Sequence, residues 1–398
     1  MVVLAGVAAC LVALTATPTV LGHMRRLAAI DEVSERSSHR VPTPRGGGVA
    51  VALGLFAGIL FLILAGILLD GALPGAGNAD GGADTPNLLP LAVAAALFGL
   101  IGLAEDVGGV PPLRRFALQL VAGMAVASVV LLWAALDAGS MALTAVLLAL
   151  LGPVWLTAFV NAFNFMDGIN GISAAQTVLG GAAFAVVGAL HDLPALAAGG
   201  AIAAGAALGF APFNFPRARL FLGDVGSYCL GAALAVLALQ AAVAGVPPEA
   251  AVAPLLLYLA DTGTTLLRRI RQGERWYLPH RTHVYQRLTD VGWTHTRVTL
   301  TVGALIAAVS ALGLTAPRAP LAGRVCLDLA VCALLAGYLR APSLLAAAQA
   351  RRGRQAAPPG PMSIPRPRTS ADSPPGTATG EHALVGGAGS GDPSDTRK

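Results

Sequence analysis

Charge is what this chain has least of. Charged residues make up 12% of its 398 positions and aromatic residues 5%, against 55% hydrophobic residues and a mean hydropathy of +0.70. So little charge cannot cover the exterior of a soluble domain, so the composition is that of an integral membrane protein. Cysteine is also scarce: Cys10, Cys229, Cys326 and Cys332 all fall in apolar runs, with no metal-ligand spacing and no sign of a disulfide framework. There is no GxxxxGK[ST] loop and no GxGxxG after a strand, which argues against an ATP-driven pump. The arginines sit in short segments between spans and no aromatic-studded basic sheet can be read, so no nucleic-acid partner is indicated.

Apolar runs are what the chain has in abundance. A membrane helix needs about 20 mainly apolar residues. Laid along residues 1–341, that length gives eleven spans, centred near Ala9, Leu55, Ala95, Ala125, Leu148, Phe184, Ala203, Leu234, Leu257, Ala307 and Ala330. The expected fold is therefore all-α, a polytopic membrane protein. The first span lacks a basic stretch before it and is followed by Arg25 and Arg26, so it reads as a retained anchor. Arginines gather in alternate connections: Arg25 to Arg45, Arg114 and Arg115, Arg217 and Arg219, and Arg268 to Arg287. The other connections carry Asp70, Asp80, Asp84, Asp192 and Glu249, with Arg318 the one exception. The positive-inside rule then puts the N-terminus outside and the C-terminus in the cytoplasm. After Arg340 the chain turns to Pro, Gly, Ser, Thr and Arg, so the division is a transmembrane domain at 1–341 and a disordered cytoplasmic tail at 342–398.

The chemistry-bearing residues fall at one side of this topology. A carboxylate at a helix centre costs roughly 2.5–3.5 kcal/mol on insertion scales, so acids that cluster at span ends suggest a site. The first cytoplasmic stretch carries Arg40 and Arg45 before Gly46-Gly47-Gly48. Guanidinium groups and close-approaching backbone suit phosphate oxygens, although a basic topogenic loop with a hinge explains them too. Glu105-Asp106 closes span three, where the pair could hold Mg2+, manage a proton or simply face water. Asn161, Asn164, Asp167 and Gly168 lie together in the turn after span five, with donors and acceptors able to read a nucleobase. Asn214 precedes Asp224, which sits at the mouth of span eight as either a metal ligand or a helix cap. His280, Arg281 and His283 follow span nine. The two histidines share a helical face if that segment is helical, but they lack the further ligands of a zinc site and suit a pyrophosphate better.

In series, these motifs resemble the polyprenyl-phosphate N-acetylhexosamine-1-phosphate transferases, glycosyltransferase family 4, over about residues 25–340. That membrane family includes the phospho-MurNAc-pentapeptide translocase and the bacterial GlcNAc-1-phosphate transferase. Its acidic pair is usually Asp-Asp and is here Glu105-Asp106. Its NxxDG element matches Asn164, Asp167 and Gly168, which the resemblance associates with the uridine nucleotide. The FN-x-P-P-A-x-x-F-x-G-D-x-G-S element matches Phe213, Asn214, Pro216, Ala218, Phe221, Gly223, Asp224, Gly226 and Ser227, with Arg217 in place of the second proline. Of the HxHH segment only His283 remains, and His280-Arg281-Thr282-His283-Val284-Tyr285-Gln286 is similar to the O-antigen-type subgroup that uses N-acetylated deoxyhexosamines.

The resemblance implies transfer of a sugar 1-phosphate from a UDP-N-acetylhexosamine to undecaprenyl or another polyprenyl phosphate, with release of UMP. It implies Mg2+, or Mn2+ in its place, on Asp224 and Asp106. Glu105, Asp106 and His283 are then catalytic, and Arg40, Arg45, Asn161, Asn164, Asp167, Gly168, Asn214, His280 and Arg281 bind substrate. The site faces the cytoplasm at the plasma membrane, and association as a homodimer is compatible with the sequence. The competing readings are the phospho-MurNAc-pentapeptide transferase branch, which the departures at Tyr285 and Gln286 weaken, and a transporter or flippase, which calls for acids near span midpoints and an internal repeat, neither of which the sequence has.

Overall fold

The computed structural model describes residues 1–27, 29–31, 41–70, 87–138, 142–275 and 280–356. Met1–Gln349 forms one compact unit. Ala350–Lys398 forms a second, described only as far as residue 356.

Eleven helices among the described residues are long and apolar enough to cross a membrane, and each contains one of the eleven expected centres. They are built from α1 (Val2–Arg26), α2 (Gly48–Asp70), α3 (Leu89–Gly108), α4 (Pro112–Ala138), α5 (Ala142–Met166), α6 (Ile172–Leu190), α7 (Pro194–Asn214) and α8 (Gly223–Val243). After these come the short α9 (Pro248–Val252) and α10 (Leu256–Arg271), which together make the ninth span. The short α11 (Val284–Asp290) precedes α12 (His295–Thr315) and α13 (Leu321–Ala356). The all-α expectation holds apart from two two-residue strands, β1 (Ile30–Asp31) and β2 (Thr43–Pro44), paired antiparallel.

α8 is the central post of the fold. It packs against α2, α3, α5, α6 and α7, and 83% of its apolar window is buried. Its sequence explains this: Gly226, Gly231, Ala232, Ala233 and Ala235 are small enough to admit neighbouring helices closely on every side. α1 packs on α2 and α7, while α4 packs on α3 and α5.

Residues 44–48 are strapped to the start of α8. Phe221 N–H donates to the Pro44 carbonyl (2.8 Å), Gly47 N–H to that of Phe221 (2.8 Å) and Gly48 N–H to that of Leu222 (2.7 Å). Two of the three glycine amides, those of Gly47 and Gly48, are therefore engaged, and Gly48 opens α2 instead of forming a hinge.

α13 runs to Ala356, past the boundary that composition placed at 341. Residues 342–356 are mainly Ala, Leu, Gln and Arg, all strong helix formers that extend the span. The rest of the expected tail, 357–398, lies outside the described residues.

Candidate active site

The end of α3, the end of α5, the start of α8 and the strap meet at one end of the bundle. Asp106, in the last turn of α3, accepts the Val225 N–H on Oδ2 at 3.0 Å. That N–H belongs to the first turn of α8, whose donors have no intrahelical partner. Asp106 thus caps a helix other than its own, and no side chain of α8 serves as its N-cap. Asp224 is free of that duty. Its Oδ1 accepts Asn164 Nδ2 at 2.6 Å, and the same amide lies 2.9 Å from Ser227 Oγ. Arg45 Nη2 donates to the Asp106 carbonyl at 3.1 Å, which brings its guanidinium over the site. α3 and α8 approach this closely because residue 102 is glycine; a Cβ there would collide with the Asp224 backbone carbonyl.

These groups suit a hard divalent cation. Asp106 Oδ1 is buried with no partner, and a Cβ on Gly223 would fill the space 2.8 Å from Asp106 Oδ2. Among the described residues, no three His, Cys, Asp or Glu side chains group as a metal cage, so an ion here would take its remaining ligands from water and substrate. Two carboxylates completed by water and substrate phosphate oxygens match the way Mg2+ is usually held.

Asp167 follows the end of α5, and its carboxyl is pushed up to about 7, chiefly by burial, with the Asp224 and Asp106 carboxylates adding to the rise. Gly168 beside it packs under Tyr285, whose hydroxyl a Cβ at 168 would strike. Burial holds the Tyr285 phenol well above its usual range. It therefore stays protonated and donates to the Phe165 carbonyl at 3.0 Å.

Other expected residues are engaged elsewhere. Glu105 accepts Val110 N–H at 2.8 Å and Arg115 Nη1 at 3.1 Å. Both acids of the pair are helical, and successive helical side chains point about 100° apart, so the two cannot address one ligand as an adjacent pair would in a loop. Asn161 is also helical, not part of a turn, and donates to Gln119 Oε1 (2.6 Å) and the Thr157 carbonyl (2.8 Å), joining α5 to α4. Asn214 is a clamp: its Oδ1 accepts Gly171 N–H at 2.7 Å and its Nδ2 donates to the Leu220 carbonyl at 3.0 Å. Arg281 pairs with Asp290 at 3.1 Å. Arg40 lies outside the described residues.

His280 and His283 precede α11, so they do not share a helical face, yet their rings stack at 4.8 Å. His280 is lowered to about 4, first by burial and then by His283, Arg269 and Arg268. At neutral pH it presents an uncharged ring, not a cation. His283 Nδ1 lies 3.2 Å from Oδ1 of Asp261, a fully buried acid near the end of span nine to which the motif reading gave no role. A lone acid inside the apolar run 255–267 was the signal available for it.

Comparison with known proteins agrees with this arrangement. A profile described as glycosyl transferase family 4 matches residues 88–242. The decaprenyl-phosphate N-acetylglucosaminephosphotransferase of Mycobacterium leprae is 31% identical over 330 residues, 75% of this chain and 79% of the relative. The chain belongs to glycosyl transferase family 4. A probable undecaprenyl-phosphate N-acetylglucosaminyl 1-phosphate transferase of Bacillus subtilis is 27% identical, covering 74% of this chain and 79% of its own length. The phospho-N-acetylmuramoyl-pentapeptide-transferase of Heliobacterium modesticaldum is 28% identical over 56% of this chain and 69% of its own. The part of the chain that matches the glycosyl transferase family 4 profile contains Asp106, Asn164, Asp167 and Asp224, while Asp261 and His283 lie outside it.

Proposed function

We propose that the protein transfers the sugar 1-phosphate of a UDP-N-acetylhexosamine to a polyprenyl phosphate, giving a lipid-linked diphosphosugar and UMP. The observation that carries this reading is the convergence of Asp106, Asp224 and Asn164 at one end of an apolar bundle whose relatives are named for that transfer. One phosphoanhydride replaces another, so alignment and charge stabilisation must supply the catalysis.

Asp106 Oδ1 and Asp224 are the groups that would hold Mg2+, or Mn2+ in its place. Bound there, the ion supplies neutralisation of the donor diphosphate. Asn164 fixes Asp224, and Arg45 adds a guanidinium beside Asp106. With Glu105 tied to Arg115, Asp106 Oδ1 is the oxygen of the pair left free to meet the incoming groups. Asp167, poised near neutrality, suits a hydrogen bond to the uracil ring in either protonation state. The positive-inside rule applied to the arginine-rich connections supports a cytoplasmic position for this end of the bundle, which a lipid acceptor would reach laterally through the bilayer. The relatives' names favour N-acetylglucosamine as the sugar. The His280 to Gln286 segment makes an N-acetylated deoxyhexosamine the next donor to try.

The test is UMP release by the purified protein with undecaprenyl phosphate and a panel of UDP-sugars including UDP-MurNAc-pentapeptide, with Mg2+, Mn2+ or EDTA. Lipid-dependent, EDTA-sensitive release that Asp224→Asn abolishes supports the reading. Release that survives EDTA and Asp224→Asn contradicts the metal assignment, and no release from folded protein with any donor contradicts the activity.

A further inference from the structure

We infer that Asp261 is a positioning residue for His283, fixing which ring nitrogen carries the proton and the plane in which the imidazole is held. The inference rests on the proposed transfer and gives His283 a place in it, a bond to the reacting phosphates through the ring nitrogen that Asp261 leaves free.

Asp261 lies in α10 and is fully buried. A carboxylate in that position needs partners for its lone pairs, and it has them from three directions. Oδ1 accepts Val284 N–H at 3.0 Å and faces His283 Nδ1 at 3.2 Å, with Thr265 Oγ1 at 3.4 Å. Oδ2 accepts Tyr285 N–H at 3.3 Å and the Tyr338 hydroxyl of α13 at 2.7 Å. The two amides are the first of α11, so Asp261 caps that helix from outside, as Asp106 caps α8. The Tyr338 hydroxyl closes the far side.

This pattern decides the tautomer. Oδ1 already accepts an N–H, and a bare Nδ1 lone pair facing it would be repelled, so the Nδ1 proton points at Asp261; the ring also faces the Gln286 N–H in a capping box, but no side-chain cap bond forms there. Nε2, at the opposite edge of the ring, is then the nitrogen left for substrate, as an acceptor of a phosphate P–OH proton or, with both ring nitrogens protonated, as a donor to a phosphate oxygen. The ring plane is held as well: His280 stacks on it at 4.8 Å, Tyr285 at 6.0 Å, and Phe165 leans in at 6.1 Å. A carboxylate that fixes a functional imidazole in this way is worth about 10–100-fold at metal-bound histidines, and a similar scale applies here.

The test is a mutant cycle on the full-length protein in detergent, reading UMP release with UDP-N-acetylglucosamine and undecaprenyl phosphate. Asp261→Asn is expected to lower kcat about 10–100-fold with the KM for the UDP-sugar changed less than about twofold, because an interaction made in the transition state is lost. His283→Asn should lose at least as much, and the double variant no more than His283→Asn alone. Losses that multiply in the double variant would mean that Asp261 acts independently of His283 and would overturn the inference. Full activity in His283→Asn would contradict the role given to that histidine and the inference with it.

A second readout does not depend on turnover. In protein labelled with 15N in its histidine rings, the His283 signal, assigned by its loss in His283→Asn, should be that of the Nδ1–H form and should change in Asp261→Asn. A ring protonated at Nε2 alone in the wild type overturns the inference whatever the kinetics show. If folded wild type releases no UMP with any donor, the proposed transfer fails, and this spectrum still decides whether Asp261 sets the tautomer. Should Asp261→Asn not fold, Tyr338→Phe repeats the cycle by removing a single bond to the carboxylate. Its smaller loss must also vanish in the His283→Asn background.

Discussion

The two halves of the site are built on the same device with different supports. In the carboxylate half, Asp106 caps α8, and both elements are long helices in direct backbone contact at Gly102. In the histidine half, Asp261 caps α11, a helix of seven residues, and reaches it through side-chain and amide bonds alone. The first half is held by packing and the second by hydrogen bonds. Removing atoms from the first should therefore cost activity through the chemistry itself, whereas removing them from the second should cost activity through orientation.

The largest effect that would break this contrast is at Asp224. Asp224→Asn should reduce UMP release by about 10³-fold while leaving the thermal unfolding of the purified protein almost unchanged, since its carboxylate meets only Asn164. Gly102→Ala comes next, because its Cβ meets backbone that cannot turn aside. Overpacking of this kind costs about 1–3 kcal/mol, and a lower melting temperature with lower activity should appear together. Asn214→Ala leaves the Gly171 N–H and the Leu220 carbonyl without partners, a loss of about 1–3 kcal/mol, to be read in the same melting assay. Gly168→Ala meets the buried ring and hydroxyl of Tyr285 and not backbone, so it should cost no more than Gly102→Ala yet shift the histidine half; a larger loss than that of Gly102→Ala would erase the contrast.

The smallest effect is a pH dependence. Asp167 is raised from 3.8 to about 7, so the fold favours its neutral form. That stability is fully present below about pH 4 and is lost as the pH rises to about 7. Measured with EDTA present, the melting temperature of the wild type should fall relative to Asp167→Asn across that window and stay parallel to it above.

The spans and the carboxylate half were legible in the sequence because both depend on local pattern. Twenty apolar residues announce a helix wherever they occur, and Asp106, Asn164 and Asp224 lie at helix ends that those runs already mark. What was not legible depended on direction. Glu105 sits one residue from Asp106 but about 100° around the helix, so adjacency in the chain suggested a pair that the helix separates. Asn161 and Asn214 carry the same amide as Asn164, yet one joins α4 to α5 and the other clamps two loops. Composition cannot tell an amide that holds the protein from one that reads a ligand. Asp261 was given no role for the opposite reason: its partners Tyr285 and Tyr338 lie 24 and 77 residues away.

α8 and α13 differ most in length. The 21 residues of α8 span about 31 Å, close to the roughly 30 Å of hydrocarbon in a bilayer, and its surroundings are protein. The 36 residues of α13 span about 54 Å, and only 17% of its apolar window is buried. It is fastened to the rest of the chain through Arg324 to Glu249, Tyr338 to Asp261 and Gln349 to the Val291 carbonyl. A thicker or thinner membrane is met by changing helix tilt. A change in the tilt of α13 would be carried toward His283 through Tyr338 and Asp261, whereas α8, enclosed by protein, offers the membrane no such handle on the carboxylates.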